Sequence, residues 1–122
     1  MELRIKTFDG DGNNFDKVFD TKKQKFDKGI KYEYKDEFGS NIIYVIKNKK
    51  IQIKRKGKIN SNQLIEKNKK TKFLYKTDYL NKEFLLETKD ILIQDEMLEF
   101  EYHIYENENL INKIKVLIKE VN

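Results

Sequence analysis

The residues best suited to chemistry lie in residues 47–79, where one arginine and several hydroxyl groups share the phase of apolar side chains. In the stretch 51–55 the isoleucines Ile51 and Ile53 occupy alternate positions, and Arg55 continues their phase. Tyr75, Thr77 and Tyr79 alternate in the same way after Phe73. On a β-strand such alternation places every second side chain on one face. The sequence therefore predicts an inner sheet face that carries a cation and hydroxyl groups.

An inward Arg55 needs a partner, because a buried unpaired charge costs on the order of several kcal/mol. The sequence offers Thr77, Thr88, Asn112, tyrosine hydroxyls or backbone carbonyls as partners. One hypothesis is a pocket in which Arg55 meets an anionic group of a small ligand. The predicted ligand-binding residues are Arg55, Tyr75, Thr77, Tyr79, Thr88 and Tyr102. The alternative is a structural arginine that latches one end of a barrel filled by side chains.

Charge is distributed unevenly along the chain, whose formal net charge is +5. Residues 47–76 contain 12 basic residues and one acid, whereas residues 78–108 contain 10 acids and two lysines. If these blocks form neighbouring strands, their outward side chains pair. If they lie apart, the basic block could bind nucleic acid or an acidic protein, or meet the acidic block of a second copy. The predicted nucleic-acid-binding residues are Lys50, Lys54, Lys56, Lys72 and Lys76.

Catalysis is the function class that the sequence supports least. The chain has no cysteine, so disulfides and thiolate chemistry are excluded. His103 shares a phase with Glu99 and Glu101, an arrangement more typical of a solvated face than of a metal site. The run Asp9-Gly10-Asp11-Gly12-Asn13 resembles the start of a calcium loop, but a hairpin turn is the simpler interpretation. We therefore expect a binding protein with no catalytic residue, metal or cofactor.

The elements that would position these residues are short strands. Turn signals recur at regular intervals, and the interpretation includes one strand over 15–26, a two-residue hairpin loop at Asn48-Lys49 and a turn at Lys89-Asp90. Residues 80–100 have a helix-favouring composition, yet their apolar positions form no helical stripe. The pattern is typical of a closed β-barrel or a β-sandwich, and the meander order and short hairpins favour the barrel. We therefore predict a single domain over residues 1–122, folded as an antiparallel up-and-down β-barrel of about eight to ten strands.

The order of several short segments resembles the YwiB-like family of small bacterial β-barrels. The segments that carry the resemblance are Ile53-Lys54-Arg55-Lys56-Gly57, Tyr75-Lys76-Thr77, Glu83-Phe84-Leu85-Leu86-Glu87-Thr88, Leu98-Glu99-Phe100-Glu101-Tyr102 and Asn109-Leu110-Ile111-Asn112-Lys113. Asn81 stands where the family usually has a glycine, and the chain has no tryptophan and so lacks the Gly-x-Trp hallmark of secreted lipocalins. The resemblance implies a calycin-like, that is lipocalin-like, barrel and brings no assigned activity.

The location and partners follow from what the sequence lacks. No stretch approaches the roughly 18 apolar residues of a membrane helix, and the first residues contain no apolar signal-peptide core. We therefore expect a cytoplasmic protein, a monomer or homodimer with no membrane partner. Its partner would be a small molecule, with nucleic acid or an acidic protein as the alternative.

Overall fold

The chain folds into one antiparallel sheet of eleven strands that curls into a nearly closed barrel. The computed structural model describes residues 1–47 and 49–121. The strands are β1 (Glu2–Asp9), β2 (Asn14–Asp20), β3 (Lys22–Phe26), β4 (Gly29–Asp36), β5 (Gly39–Ile46), β6 (Lys50–Gly57), β7 (Asn60–Glu66), β8 (Lys70–Lys76), β9 (Asn81–Gln94), β10 (Met97–Glu106) and β11 (Asn109–Val121). The predicted all-β barrel is confirmed, with slightly more strands than expected.

The barrel closes by pairing its first and last strands. Sheet order is β2-β1-β11-β10-β9-β8-β7-β6-β5-β4-β3, so every pair except β1 with β11 is a hairpin of sequence neighbours. Among the described residues, β2 and β3 do not pair and leave a seam between them. Side chains close this seam: the rings of Phe19 and Tyr34 lie 4.6 Å apart, and Lys23 Nζ lies 2.8 Å from Glu120 Oε2.

Two local expectations were wrong in detail, and a third lies partly outside the described residues. The single strand predicted over residues 15–26 is divided at Thr21, a buried residue at which the chain passes from one edge of the seam to the other. The turn predicted at Lys89-Asp90 is instead a β-bulge inside β9, because Glu101 pairs with Asp90 while Tyr102 pairs with Thr88. The hairpin loop predicted at Asn48-Lys49 includes Asn48, which lies outside the described residues.

The two ends of the barrel differ in packing. At one end, the closed end, the aliphatic side chains Leu3, Ile51 and Ile65 are each 0% exposed. Glu120 also spans this end, where its Oε2 accepts a hydrogen bond of 2.9 Å from the Tyr32 hydroxyl. The other end, the open end, carries the β1–β2, β4–β5, β6–β7, β8–β9 and β10–β11 turns, and turn residues Phe38 and Leu80 line cavities there. Buried aliphatic side chains therefore fill the closed end, and the cavities lie toward the open end. Within the described chain no helix is long and apolar enough to cross a membrane.

Candidate functional site

A row of polar side chains crosses the inner face of the sheet near the open end. The register pairs Tyr34 with Asn41, Asn41 with Arg55, Arg55 with Ser61, and Ser61 with Tyr75. We call these five residues the polar rung; β4 to β8 contribute one residue each. Directly paired side chains lie close together on one sheet face. A band of polar side chains therefore crosses the inner wall of the barrel toward its open end.

Asn41 is the member of the polar rung with the least satisfied side chain. The residue is 2% exposed, and its Nδ2 donates to no group within residues 1–47 and 49–121. A buried amide donor without an acceptor costs about 1–3 kcal/mol. Such exceptions are rare in folded proteins, and each calls for a partner such as a water, an ion or a ligand. The Asn41 amide is therefore available to an acceptor inside the barrel.

Arg55 is paired with an acid that the sequence analysis did not consider. Arg55 Nη2 donates to Asp36 Oδ2 at 3.2 Å, and the Asp36 Oδ1 accepts from the Phe38 backbone N–H at 2.9 Å. The Phe38 ring centroid lies 5.9 Å from the guanidinium carbon. Side-chain exposure is 26% for Arg55 and 17% for Asp36. The partner of Arg55 is thus Asp36 at the end of β4, and not one of the expected threonines, Asn112, tyrosines or carbonyls.

Two cavities meet at Arg55. The first, of about 350 Å³, lies behind the seam and is lined by residues that include Phe19, Tyr34 and Asn41; we call it the seam cavity. The second, of about 450 Å³, is lined by Phe73, Tyr75, Phe84 and other side chains; we call it the aromatic cavity. Arg55, Gln63 and Tyr102 line both cavities and separate them. Volumes of this size match those of small-molecule sites.

Burial holds Tyr34 and Tyr102 in their neutral, proton-donating form. Burial raises the pKa of the Tyr34 hydroxyl to about 12, with the nearby Arg55 acting in the opposite direction. Burial also raises the pKa of Tyr102, whose hydroxyl oxygen accepts a hydrogen bond of 3.3 Å from Gln63 Nε2. Because that bond uses the oxygen of Tyr102, its O–H remains able to donate. Asn41, Arg55 and Tyr102 thus make this region rich in donors.

The six predicted ligand-binding residues separate into two groups. Arg55, Tyr75 and Tyr102 line the aromatic cavity, and Arg55 and Tyr102 line the seam cavity as well. The other three, Thr77, Tyr79 and Thr88, line neither cavity.

These three residues lie away from both cavities for separate reasons. β8 ends at Lys76, so the alternation does not continue to Thr77 and Tyr79. Thr77 Oγ1 accepts from the backbone N–H groups of Tyr79 and Leu80 in the following turn, and Tyr79 is 98% exposed. Thr88 does point inward, but its hydroxyl accepts from the Glu66 N–H at 3.2 Å and ties β9 to β7.

Sequence reasoning missed Tyr34, Asp36, Asn41 and Gln63. All four carried a readable signal, since Gln63 keeps the phase of the buried Ile65 and Asp36 that of the buried Tyr32. Asn41 keeps the phase of Ile43 and Val45, both buried, just as Arg55 keeps the phase of Ile51 and Ile53. Tyr34 likewise keeps the phase of the buried Tyr32. A search for every polar residue in phase with apolar neighbours would have identified them.

The five predicted nucleic-acid-binding lysines lie on the outer face. Lys54, Lys56, Lys72 and Lys76 are exposed, and Lys50 is half-buried opposite Glu66. The basic and acidic blocks adjoin where β8 pairs with β9, and Lys72 Nζ lies 3.6 Å from Glu83 there. Two aromatic residues share this outer face: Lys54 lies over the Tyr44 ring, which contacts Phe26 edge-on at 5.9 Å.

The remaining candidate sites have structural explanations. Asp9 Oδ1 accepts from the backbone N–H groups of Asp11 and Asn13, both at 2.9 Å, so this run forms a hydrogen-bonded hairpin turn. The described residues contain no cluster of three or more histidine, cysteine or acidic side chains that could hold a metal ion. His103 is half-buried, and burial together with the cations Lys89 and Lys113 lowers its pKa.

Comparisons with known proteins agree with this architecture. Residues 5–118 match the sequence model of a family described as Domain of unknown function (DUF1934). A similar fold occurs in the crystal structure of the ywiB protein from Bacillus subtilis: the TM-score is 0.63 and the identity 17%, over 99% of this chain and 91% of that chain. No curated protein matches the chain. The resemblance to the YwiB-like family is therefore confirmed, and at this identity the structural likeness concerns the fold alone.

Proposed function

The chain belongs to the family described as Domain of unknown function (DUF1934), and we propose that it binds a small organic molecule inside the open half of the barrel. The ligand contributes hydrogen-bond acceptors, including an anionic group, to Asn41, Arg55 and Tyr102. Apolar walls from both cavities enclose the rest of the ligand. The protein acts as a binder and not as an enzyme.

The buried Asn41 amide is the observation that carries this proposal. A structural latch requires Arg55 to be paired, which Asp36 accomplishes, but it gives no reason for an unpartnered amide in the adjacent strand. A purely structural position would favour an apolar side chain there, because an apolar replacement avoids the desolvation cost. An interior ligand explains both Asn41 and the cavity beside it.

Fluorescence titration with 1-anilinonaphthalene-8-sulfonate tests the proposal. This probe combines a hydrocarbon body with one negative charge, and we expect saturable binding to the purified protein. Replacing Arg55→Met or Asn41→Leu should each weaken binding at least about tenfold, since each removes a hydrogen bond to a charged or polar ligand group. Circular dichroism establishes that each variant is folded before its affinity is compared.

Lys54→Met is the matched control, because Lys54 neighbours Arg55 in β6 but is exposed on the outer face. It removes the same charge and should leave probe affinity unchanged. The proposal is wrong if the probe does not bind saturably, or if Lys54→Met weakens binding as much as Arg55→Met. If Arg55→Met does not fold, Asn41→Leu still decides the outcome.

A second candidate function is single-stranded nucleic-acid binding on the outer face. Tyr44 and Phe26 favour this function, because they share the outer face with Lys54. Bases of a single strand can stack on aromatic rings while neighbouring cations contact the phosphates. The test is an anisotropy titration with a labelled single-stranded RNA at several salt concentrations. Replacing both Lys54 and Lys56 by glutamine should reduce the slope of log K against log salt concentration by about 1.4, or about 0.7 for each lost phosphate contact. The same change at Lys113 and Lys115, on another wall, should have no effect. Salt-independent binding would refute this function.

The calycin type of the barrel, a cytoplasmic location and a monomer or homodimer are part of the proposal. The sequential order of the strands supports the first, because up-and-down barrels of this class are built from consecutive hairpins. An acidic protein is the other partner compatible with the outer lysines.

A further inference from the structure

Arg55 is the only charged side chain that lines the aromatic cavity within the described residues. In the seam cavity its charge is joined by Lys17, Asp36 and Glu37, so the two cations and two acids there balance formally. The interior thus offers one positive charge at the partition between the cavities. In the aromatic cavity a second negative charge on a ligand would find no cation to pair with, which is strongly unfavourable.

Asp36 already contacts that positive charge. The contact is a single hydrogen bond of 3.2 Å from Arg55 Nη2, not the two-pronged pairing that arginine and carboxylate form at their strongest. The carboxylate is held at the rim of the seam cavity, because its other oxygen accepts from the Phe38 N–H in the β4–β5 turn. Asp36 is therefore an internal anion within reach of the site where a ligand anion would bind.

We infer that the ligand is a molecule with a single oxyanion, a carboxylate or sulfonate on an apolar body, and that this oxyanion replaces Asp36 on Arg55. The inference rests on the proposed function. Asp36 competes with the ligand for the guanidinium and lowers the affinity for anions, while it keeps Arg55 paired when the site is free. Asp36 is thus the residue that sets charge selectivity.

A pair of probes with one skeleton tests the inference. We expect 1-anilinonaphthalene-8-sulfonate to bind more tightly than N-phenyl-1-naphthylamine, its uncharged counterpart. Asp36→Asn should raise the affinity for the sulfonate about tenfold and leave that for the neutral amine unchanged, because the amide oxygen can still accept from Phe38. Glu33→Gln, which removes an acid of the same strand that lines neither cavity, is the control and should change neither affinity.

Competition on the wild-type protein separately tests how many negative charges the ligand carries. Naphthalene-1-sulfonate should displace the bound probe at least about tenfold more effectively than naphthalene-1,5-disulfonate. Equal displacement by the two competitors, or an unchanged ratio of probe affinities in Asp36→Asn, overturns the inference while interior binding stands. Absence of saturable binding by both probes overturns the proposed function itself. Even if Asp36→Asn does not fold, the competition result shows whether the site prefers a ligand with one negative charge.

Discussion

Replacing Asn41→Leu should make the protein more stable, although it removes a hydrogen-bonding group. Asn41 is 2% exposed, and its Nδ2 has no acceptor within the described chain. The folded state therefore carries a desolvation penalty of about 1–3 kcal/mol, which leucine removes. Leucine has the same branching at Cγ, so the replacement is nearly isosteric and creates no cavity. We expect the free energy of unfolding to rise by about 1–2 kcal/mol after small packing losses.

Urea unfolding monitored by circular dichroism measures this change. The midpoint should rise while the m-value stays constant, which shows that the folded state itself became more stable. Asn62→Leu is the matched control: Asn62 lies on β7 but faces outward and is exposed, so its replacement should change stability by no more than about 0.5 kcal/mol. A loss of about 1 kcal/mol or more in Asn41→Leu would show that the amide is satisfied in the free protein, and would refute the reasoning for a ligand at this position.

Three further predictions concern stability. Burial raises the pKa of Tyr34 from 10.0 to about 12. The contribution of its neutral hydroxyl to the free energy of unfolding is therefore present below pH 10 and is lost as the pH rises toward 12. In urea titrations, the free energy of unfolding of the wild type should fall by up to about 3 kcal/mol more between pH 9 and pH 12 than that of Tyr34→Phe. Equal decreases in the two proteins would contradict the burial of the hydroxyl. Glu120→Gln weakens the bond of 2.9 Å from Tyr32 at the closed end and should cost about 1–2 kcal/mol; an unchanged urea midpoint would show that this contact is not stabilising. Asn107 and Glu108 have φ of 49° and 71°, in the left-handed region that glycine adopts without strain. Glu108→Gly should therefore raise the free energy of unfolding by about 1 kcal/mol. A lower midpoint in thermal unfolding would rule out strain at this turn.

Much of the architecture was predictable because alternation along a strand is a local property. The inward phase of Ile51, Ile53 and Arg55 follows from sequence spacing alone, and all three face the interior. The class of fold followed in turn from the number of such strands and the short turns between them. The break at Thr21 and the bulge beside Asp90 could not be predicted from sequence spacing, because both depend on how the strand pairs with its neighbours.

The composition of the site was less predictable because it depends on register. Asp36 reaches Arg55 across an intervening strand, and that proximity follows from the pairing of Gly39 with both Asp36 and Gly57. A shift of one residue would turn the β4 side chains to the opposite face. Tyr79 shows the converse error: its spacing fits the alternation, but β8 ends before it. Side-chain phase could be derived from the sequence, whereas strand ends and cross-strand neighbours could not.

The pairing of the first strand with the last has a consequence for folding kinetics. Every other strand pair is a local hairpin, which forms quickly. The pairing of Glu2 with Val121 joins residues far apart in the sequence, and such contacts form slowly because closing a long loop costs entropy. Seam-cavity residues such as Ile5 on β1 and Ile118 on β11 come together only in this late step. A ligand that recognises the closed barrel should therefore bind after the rate-limiting barrier to folding. It should slow unfolding and leave the folding rate nearly unchanged.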